Sequence, residues 1–124
     1  MKIKESAENY LEAILILNKR LGYARSIDVA NYLGFSKPSV SVAMKAFRED
    51  GYITVGNDGS LLLTEKGKEV AERMYERHQL LIKALVAIGV DQDIAEHDGC
   101  LIEHDISNVT FQKIKEYLNK NGIY

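Results

Sequence analysis

The feature that most constrains this chain is a change of hydrophobic period at Tyr52. Before it, apolar residues recur at three- and four-residue spacing, the period of helices that bury one face. Tyr10, Leu11, Ile14 and Leu17 mark a first helix that Ser6 is placed to cap and Leu21-Gly22 to end. Ser26 to Leu33 predicts a short second helix, with Ser26 as its cap, Asp28 in the first turn, Ala30 and Leu33 inward, and Gly34 as terminator. Ser36 opens a third, with Pro38 where a missing N–H is harmless and Val40, Ala43, Met44 and Phe47 on one face as far as Asp50-Gly51. From Tyr52 the chain turns β-prone, since Tyr52 to Val55 and Leu61 to Thr64 flank the turn-forming Gly56-Asn57-Asp58-Gly59-Ser60. A long helix then runs from Thr64 to about Ile88 and stops at Gly89. Another starts at Asp91 or Asp93 and reaches about Asp105, and Ser107 caps the last.

Two short helices joined across Gly34-Phe35, with a hairpin directly after the second, have the order of a winged helix-turn-helix. The expected fold is therefore mainly α with a small β-hairpin wing. A DNA-binding domain is expected at residues 1–70 and a helical dimerisation region at residues 71–124. With the inward face of the third helix assigned, its outward face offers Ser39, Ser41, Val42, Lys45 and Arg48, with Ser36, Lys37 and Pro38 at its start. Hydroxyls, helix-start N–H groups and cations suit phosphates, and Val42 is fitted to touch a thymine methyl. A solvated helix face is the plainer alternative.

The net charge of −2 speaks against a broad basic surface, so any DNA contact must come from local clusters, of which Lys37, Lys45 and Arg48 form the obvious one. Residues 1–74 carry 11 Lys/Arg against 10 Asp/Glu, whereas residues 75–124 carry 5 against 8. No cation lies between Gly51 and Glu65, which predicts a wing that packs more than it grips phosphate. The apolar stretches Ala13 to Leu17 and Leu80 to Val90 are too short or interrupted to span a bilayer, and neither reads as a signal peptide, so none is expected. A single cysteine, Cys100, excludes an intramolecular disulfide and fits the reducing cytoplasm.

In Cys100-Leu101-Ile102-Glu103-His104, positions i, i+3 and i+4 set thiol, carboxylate and imidazole on one helical face. Those donors suit a divalent transition metal, whereas magnesium or calcium would take oxygen alone. On pattern alone, a buried cysteine beside a surface Glu-His pair explains the same residues. Support must come from other helices: Asn9 and Glu12 lie three apart on the first, and His78 lies midway along the long one.

The order of elements and the residues now quoted resemble the iron- and manganese-dependent repressors of the diphtheria toxin repressor and manganese transport regulator type. The resemblance runs through Glu8-Asn9-Tyr10-Leu11-Glu12-Ala13-Ile14, Ser39-Val40-Ser41, Leu63-Thr64-Glu65-Lys66-Gly67, Arg77-His78-Gln79-Leu80-Leu81, Ile88-Gly89-Val90 and, most specifically, Cys100-x-x-Glu103-His104. It implies a homodimer in which a bound divalent metal ties the first helix to the dimerisation helices and sets the spacing of two recognition helices. It also implies that Glu12, His78, Cys100, Glu103 and His104 occupy ligand positions, Cys100 being the iron-type donor where manganese-type members have a carboxylate. By the resemblance the chain is expected to end where manganese-type members end, without the SH3-like domain of longer ones. It departs from the family at Asn9, where methionine or aspartate is usual, and at Val42, where the family has glutamine. Ile82 and Glu96 stand where iron-type members place a carboxylate and a histidine of an ancillary site. The resulting expectation is a cytoplasmic metal-dependent regulator with Fe(II) as corepressor, Mn(II) second, and double-stranded DNA with an inverted-repeat operator as partner. A metal-independent winged-helix regulator is the first rival. A thiol enzyme is the second, disfavoured because a mid-helix cysteine has no free backbone N–H groups to form an oxyanion hole.

Overall fold

The computed structural model describes residues 5–123, with side chains described from residue 7 onward. Its elements are α1 (Glu5–Leu21), α2 (Ser26–Leu33), α3 (Lys37–Glu49), β1 (Ile53–Val55), β2 (Leu61–Leu63), α4 (Glu65–Ala87), α5 (Gln92–Glu103) and α6 (Asn108–Lys120). The chain forms two compact units that meet in sequence between Arg73 and Met74, inside α4.

In the first unit the apolar stripe of α1 (Tyr10, Leu11, Ile14, Leu17) is buried with Val29 and Ala30 of α2, Val40 and Met44 of α3, and Ile53 and Leu61 of the hairpin. Tyr10 meets Phe35 and Phe47 edge-on at centroid distances of 5.4 and 5.8 Å, and Phe47 meets Tyr52 at 6.2 Å. This aromatic chain packs α1, the α2–α3 turn, α3 and the root of the wing into one core. The described part of α1 already includes Glu5, and the side chain of Ser6, expected as its cap, lies outside the described ones.

Arg25, not Ser26, is the N-cap of α2. Its backbone is extended (φ −124°, ψ 166°), and its N–H donates to the Asp28 carboxylate at 3.0 Å. That acid three residues into the helix satisfies the backbone of residue 25, so the helix starts one residue earlier than a serine cap would place it. Gly34 ends α2 at φ 71°, a conformation costly for any side-chain-bearing residue, and its N–H donates to Ala30 O. Ser36 caps α3 and accepts the Ser39 N–H at 3.3 Å.

The two strands pair antiparallel, with Ile53 opposite Leu63 and Val55 opposite Leu61. Each is one residue shorter than expected: the Thr64 N–H still donates to Tyr52 O at 3.0 Å, but the return bond is missing because Tyr52 donates its N–H to Phe47 O at the end of α3. Leu61 directs both its backbone groups away from β1: its N–H donates to Ala24 O at 2.7 Å and its carbonyl accepts from the Asn18 carboxamide at 3.2 Å. Ala24 and Asn18 thus stand in for a third strand and fasten the wing to the end of α1. At the start of α4, a Cβ on Gly67 would lie 2.1 Å from Tyr52 O, so only glycine lets the helix pass the wing root.

The second unit packs Leu80 of α4 against Phe111 and Leu118 of α6, with Ala84, Ile106 and Ile114 around them. Asp91 rather than Asp93 caps α5, and the helix ends at Glu103, ahead of the expected Asp105, with His104 as its C-cap. Ser107 caps α6 and accepts the Thr110 N–H at 3.1 Å. Among the described residues no helix is long and apolar enough to cross a membrane.

Candidate functional site

Ser36, Lys37, Pro38, Ser39, Ser41, Val42, Lys45 and Arg48 are all exposed on the first unit. Burial of Val40 and Met44 turns them outward, and the Ser36 cap holds the helix start in register. The Ser36 hydroxyl donates to that of Ser39 at 2.8 Å, so the two act as one fixed acceptor pair at the helix N-terminus. Lys37, Lys45 and Arg48 supply its positive charge.

The wing behaves differently. At its tip the Ser60 hydroxyl donates to the Asp58 carboxylate, as does the Ser60 N–H at 3.0 Å. The side-chain bond first, then the backbone bond, hold the Asp58 carboxyl below the ordinary carboxylate range, with Arg25 adding a small pull. With no Lys or Arg between Gly51 and Glu65, the exposed Asp58 gives the wing tip a negative charge at neutral pH.

In the second unit one donor atom each from Cys100, Glu103 and His104 gathers with all three within 4.8 Å of one another. The last two lie deep, with side chains 0% and 2% exposed, and His104 Nε2 is 3.3 Å from Glu103 Oε1. His104 lies one residue past the end of α5 but keeps a helical backbone (φ −86°, ψ −17°), which preserves the i+4 geometry. The nearest ring nitrogen of His78 and a carboxylate oxygen of Glu103 also lie within 4.8 Å, so Glu103 is common to both neighbourhoods. His78 Nε2 is 3.4 Å from Glu96 O. A buried carboxylate is stable only where positive charge or hydrogen bonds compensate it, and convergent S, O and N donors fit a divalent transition metal better than any oxygen-seeking ion. Glu12 is on α1 of the first unit, 4% exposed, and Asn9 is half-buried one turn before it.

Two residues that build this site escape a reading by pattern. Gly99 is buried in mid-α5, where a Cβ would lie 3.2 Å from Ile82 Cγ1 and 3.8 Å from the His78 ring; its missing side chain lets α5 approach α4 beside His78. Arg77 donates to Ile106 O at 3.1 Å and lies 5.1 Å from the Phe111 ring, holding the turn that follows His104. The signal for Gly99 was a glycine inside a helical period; Arg77 had none beyond its place beside His78. Glu96 and His97 are exposed on α5, with Glu96 accepting from Gln92 at 3.1 Å, and neither is among the clustered donors.

A winged helix-turn-helix followed by helices that gather thiol, carboxylate and imidazole defines the class: a DNA-binding protein with a metal-type donor set. The chain matches the iron-dependent repressor family twice, its N-terminal DNA-binding domain over residues 2–61 and its metal-binding and dimerisation domain over residues 64–122. It is 32% identical over 119 residues to the transcriptional regulator MntR of Escherichia coli O6:H1, covering 96% of this chain and 77% of that one. To the HTH-type transcriptional regulator MntR of Geobacillus thermodenitrificans it is 38% identical over 102 residues, covering 82% and 72%. The solved structure of a manganese-dependent transcriptional repressor in complex with manganese superposes with a TM-score of 0.83 at 25% identity, covering 91% of this chain and 52%, about half, of that one. The chain belongs to the iron-dependent repressor family, and with it to the metal-dependent DNA-binding transcriptional regulators.

Proposed function

We propose that this chain is a cytoplasmic homodimeric repressor whose affinity for an inverted-repeat operator is raised by a divalent metal, ferrous iron first and manganese second. The observation that carries the reading is the convergence of Cys100, Glu103 and His104 around a buried carboxylate. Thiolate is the donor that ranks iron above manganese, since manganese prefers an all-oxygen and nitrogen shell. Manganese stays second because the solved relative is a manganese-dependent repressor.

His78, Cys100, Glu103 and His104 would hold the metal, joined by Glu12 through its match to a family ligand position. Asn9 is left out, because a neutral amide oxygen is a poor donor to a soft ion. When bound, the metal supplies divalent charge and bonds to several side chains at once. The chain's own residues do the rest: Glu103 presents its carboxylate from the end of α5, Gly99 keeps α5 close to α4, and Arg77 steadies the following turn. DNA affinity can then change only by as much as the two DNA-binding arrangements differ in their affinity for metal. The test is DNA affinity against free Fe(II), kept anaerobic, and free Mn(II). Indifference to both ions would leave a metal-independent regulator.

We place DNA binding in residues 1–70 and metal binding and dimerisation in residues 71–124. Ile94 and Leu101, seven apart and exposed on α5, supply apolar surface for a partner copy. Sedimentation at micromolar concentration should show a dimer, and a monomer with and without metal would overturn this. On the first unit, Lys37, Lys45 and Arg48 are assigned to phosphates, and Ser36, Pro38, Ser39, Ser41 and Val42 to the groove and its rim. Lys45→Ala should weaken binding about equally on all duplexes and lower the salt slope by about one, as loss of one phosphate contact does. A slope unchanged from wild type would remove Lys45 from the interface.

A further inference from the structure

The wing contains no cation of its own, yet the fold brings one beside it. Ala24 O accepts the Leu61 N–H at 2.7 Å, so residues 23–25 run alongside β2 in the place of a further strand. Ala24 is buried while Tyr23 and Arg25, on either side of it, are exposed, the alternation of a strand with one wet face. The Arg25 guanidinium carbon lies 5.6 Å from the centre of the Tyr23 ring, a stacking that narrows the rotamers of a long side chain before any ligand arrives. It is close enough to the wing tip to pull on the Asp58 carboxyl. The two act across solvent, since among the described residues no ion pair joins Arg25 to a carboxylate. Nor does the fold need the guanidinium, because the start of α2 is held by the Arg25 backbone N–H on Asp28.

The hairpin is fixed next to α3, where the Tyr52 N–H donates to Phe47 O just before β1 begins. A duplex whose major groove, about 12 Å wide, takes α3 carries a flanking phosphate strand past that hairpin. A preoriented guanidinium there, exposed and unused by the core, has the chemistry of a phosphate contact: a planar fork of N–H donors, always charged and weakly hydrated.

We propose that Arg25, stacked on Tyr23, is the phosphate contact of the wing and that Asp58 moderates it, so that the hairpin's hold on a duplex comes from the start of α2 rather than from the hairpin. The proposal rests on the DNA-binding reading above and adds to it a residue outside α3. Asp58 cancels part of the Arg25 charge at a distance, which leaves the wing side nearly neutral toward a remote polyanion. A phosphate that has arrived lies against the guanidinium itself and gains two parallel hydrogen bonds. The contact therefore holds a seated duplex more than it draws one in.

The test uses the whole chain with saturating Mn(II) and two unrelated mixed-sequence duplexes, with affinity read between about 50 and 200 mM salt. Arg25→Ala should lower the salt slope by about 0.9 on both duplexes, so that wild type loses roughly three to four times more affinity than the variant over that range. Arg25→Gln, which keeps a long side chain without its charge, should match Arg25→Ala, and Arg25→Lys should keep the wild-type slope. Asp58→Asn should raise wild-type affinity roughly two- to fivefold, the effect of removing one like charge across water, and should raise that of Arg25→Ala by less. A wild-type slope in Arg25→Ala and Arg25→Gln, with Lys45→Ala lowering it, overturns the proposal and leaves the regulator reading in place. Equal gains from Asp58→Asn in both backgrounds overturn the moderation by Asp58. A wild-type chain that binds neither duplex with Mn(II) or Fe(II) overturns the proposal together with the DNA-binding reading.

Discussion

Raising free Fe(II) or Mn(II) should increase the DNA affinity of the wild-type chain by one to two orders of magnitude, and Cys100→Ala should move that curve to higher concentration for both ions. A hundredfold gain corresponds to about 2.7 kcal/mol of differential metal affinity between the two DNA-binding arrangements. Removing one donor from a set of four or five leaves a weaker site rather than none, and Cys100 is only partly buried on α5, so its loss should not unfold the unit. Cys100→Glu replaces sulfur with oxygen at the same place and should restore affinity selectively for manganese. Glu12→Gln should separate the two properties: metal uptake weakened but present, activation of DNA binding largely lost. If the wild-type, Cys100→Ala and Glu12→Gln curves superimpose, the metal switch is wrong.

Metal should also raise the melting temperature of wild type by roughly ten degrees when present at about 100 times its Kd. Such saturation stabilises the folded state by about 2.7 kcal/mol, and a chain of this size gains a few degrees per kcal/mol. In Glu103→Gln the shift should nearly vanish. Glu103 is 1% exposed and has a carboxylate oxygen within 4.8 Å of donor atoms of Cys100, His104 and His78, and glutamine keeps its shape while removing the charge a cation requires. Thermal melts of both proteins, each with and without Mn(II), check this. A full metal-induced shift in Glu103→Gln would exclude the carboxylate as a donor.

How far the fold could be read from the chain depended on whether the information was local. The stripes Tyr10-Leu11-Ile14-Leu17 and Val40-Met44, the hairpin, and the caps Ser36 and Ser107 are matters of period and of one or two hydrogen bonds, and they were legible. The span Ser26–Leu33 of α2 is legible, but its cap is Arg25 rather than Ser26 because Asp28 reaches back to the Arg25 N–H, a competition a list of preferred caps does not resolve. In the site, Cys100, Glu103 and His104 share one face within five residues, so their approach follows from helical geometry. The nearness of His78 to Glu103 does not, since it requires α4 and α5 to pack closely at Gly99. Nor could pattern show that Glu103 is almost wholly buried, because a glutamate three residues after a cysteine is usually at the surface. The exposure of Val42 follows from the period that turns Val40 and Met44 inward.

The anionic wing tip gives the encounter with a duplex a polarity. On the DNA-binding reading proposed above, a polyanion approaching this unit is drawn toward Lys37, Lys45 and Arg48 on α3, while the Asp58 carboxylate, ionised at neutral pH as any exposed aspartate is, offers no attraction at the wing. Encounters that present α3 first are then expected to outlast those that present the hairpin first. In a chain with a net charge of −2, attraction is too scarce to be spread over the surface, and the same scarcity makes the direction of arrival part of its selectivity.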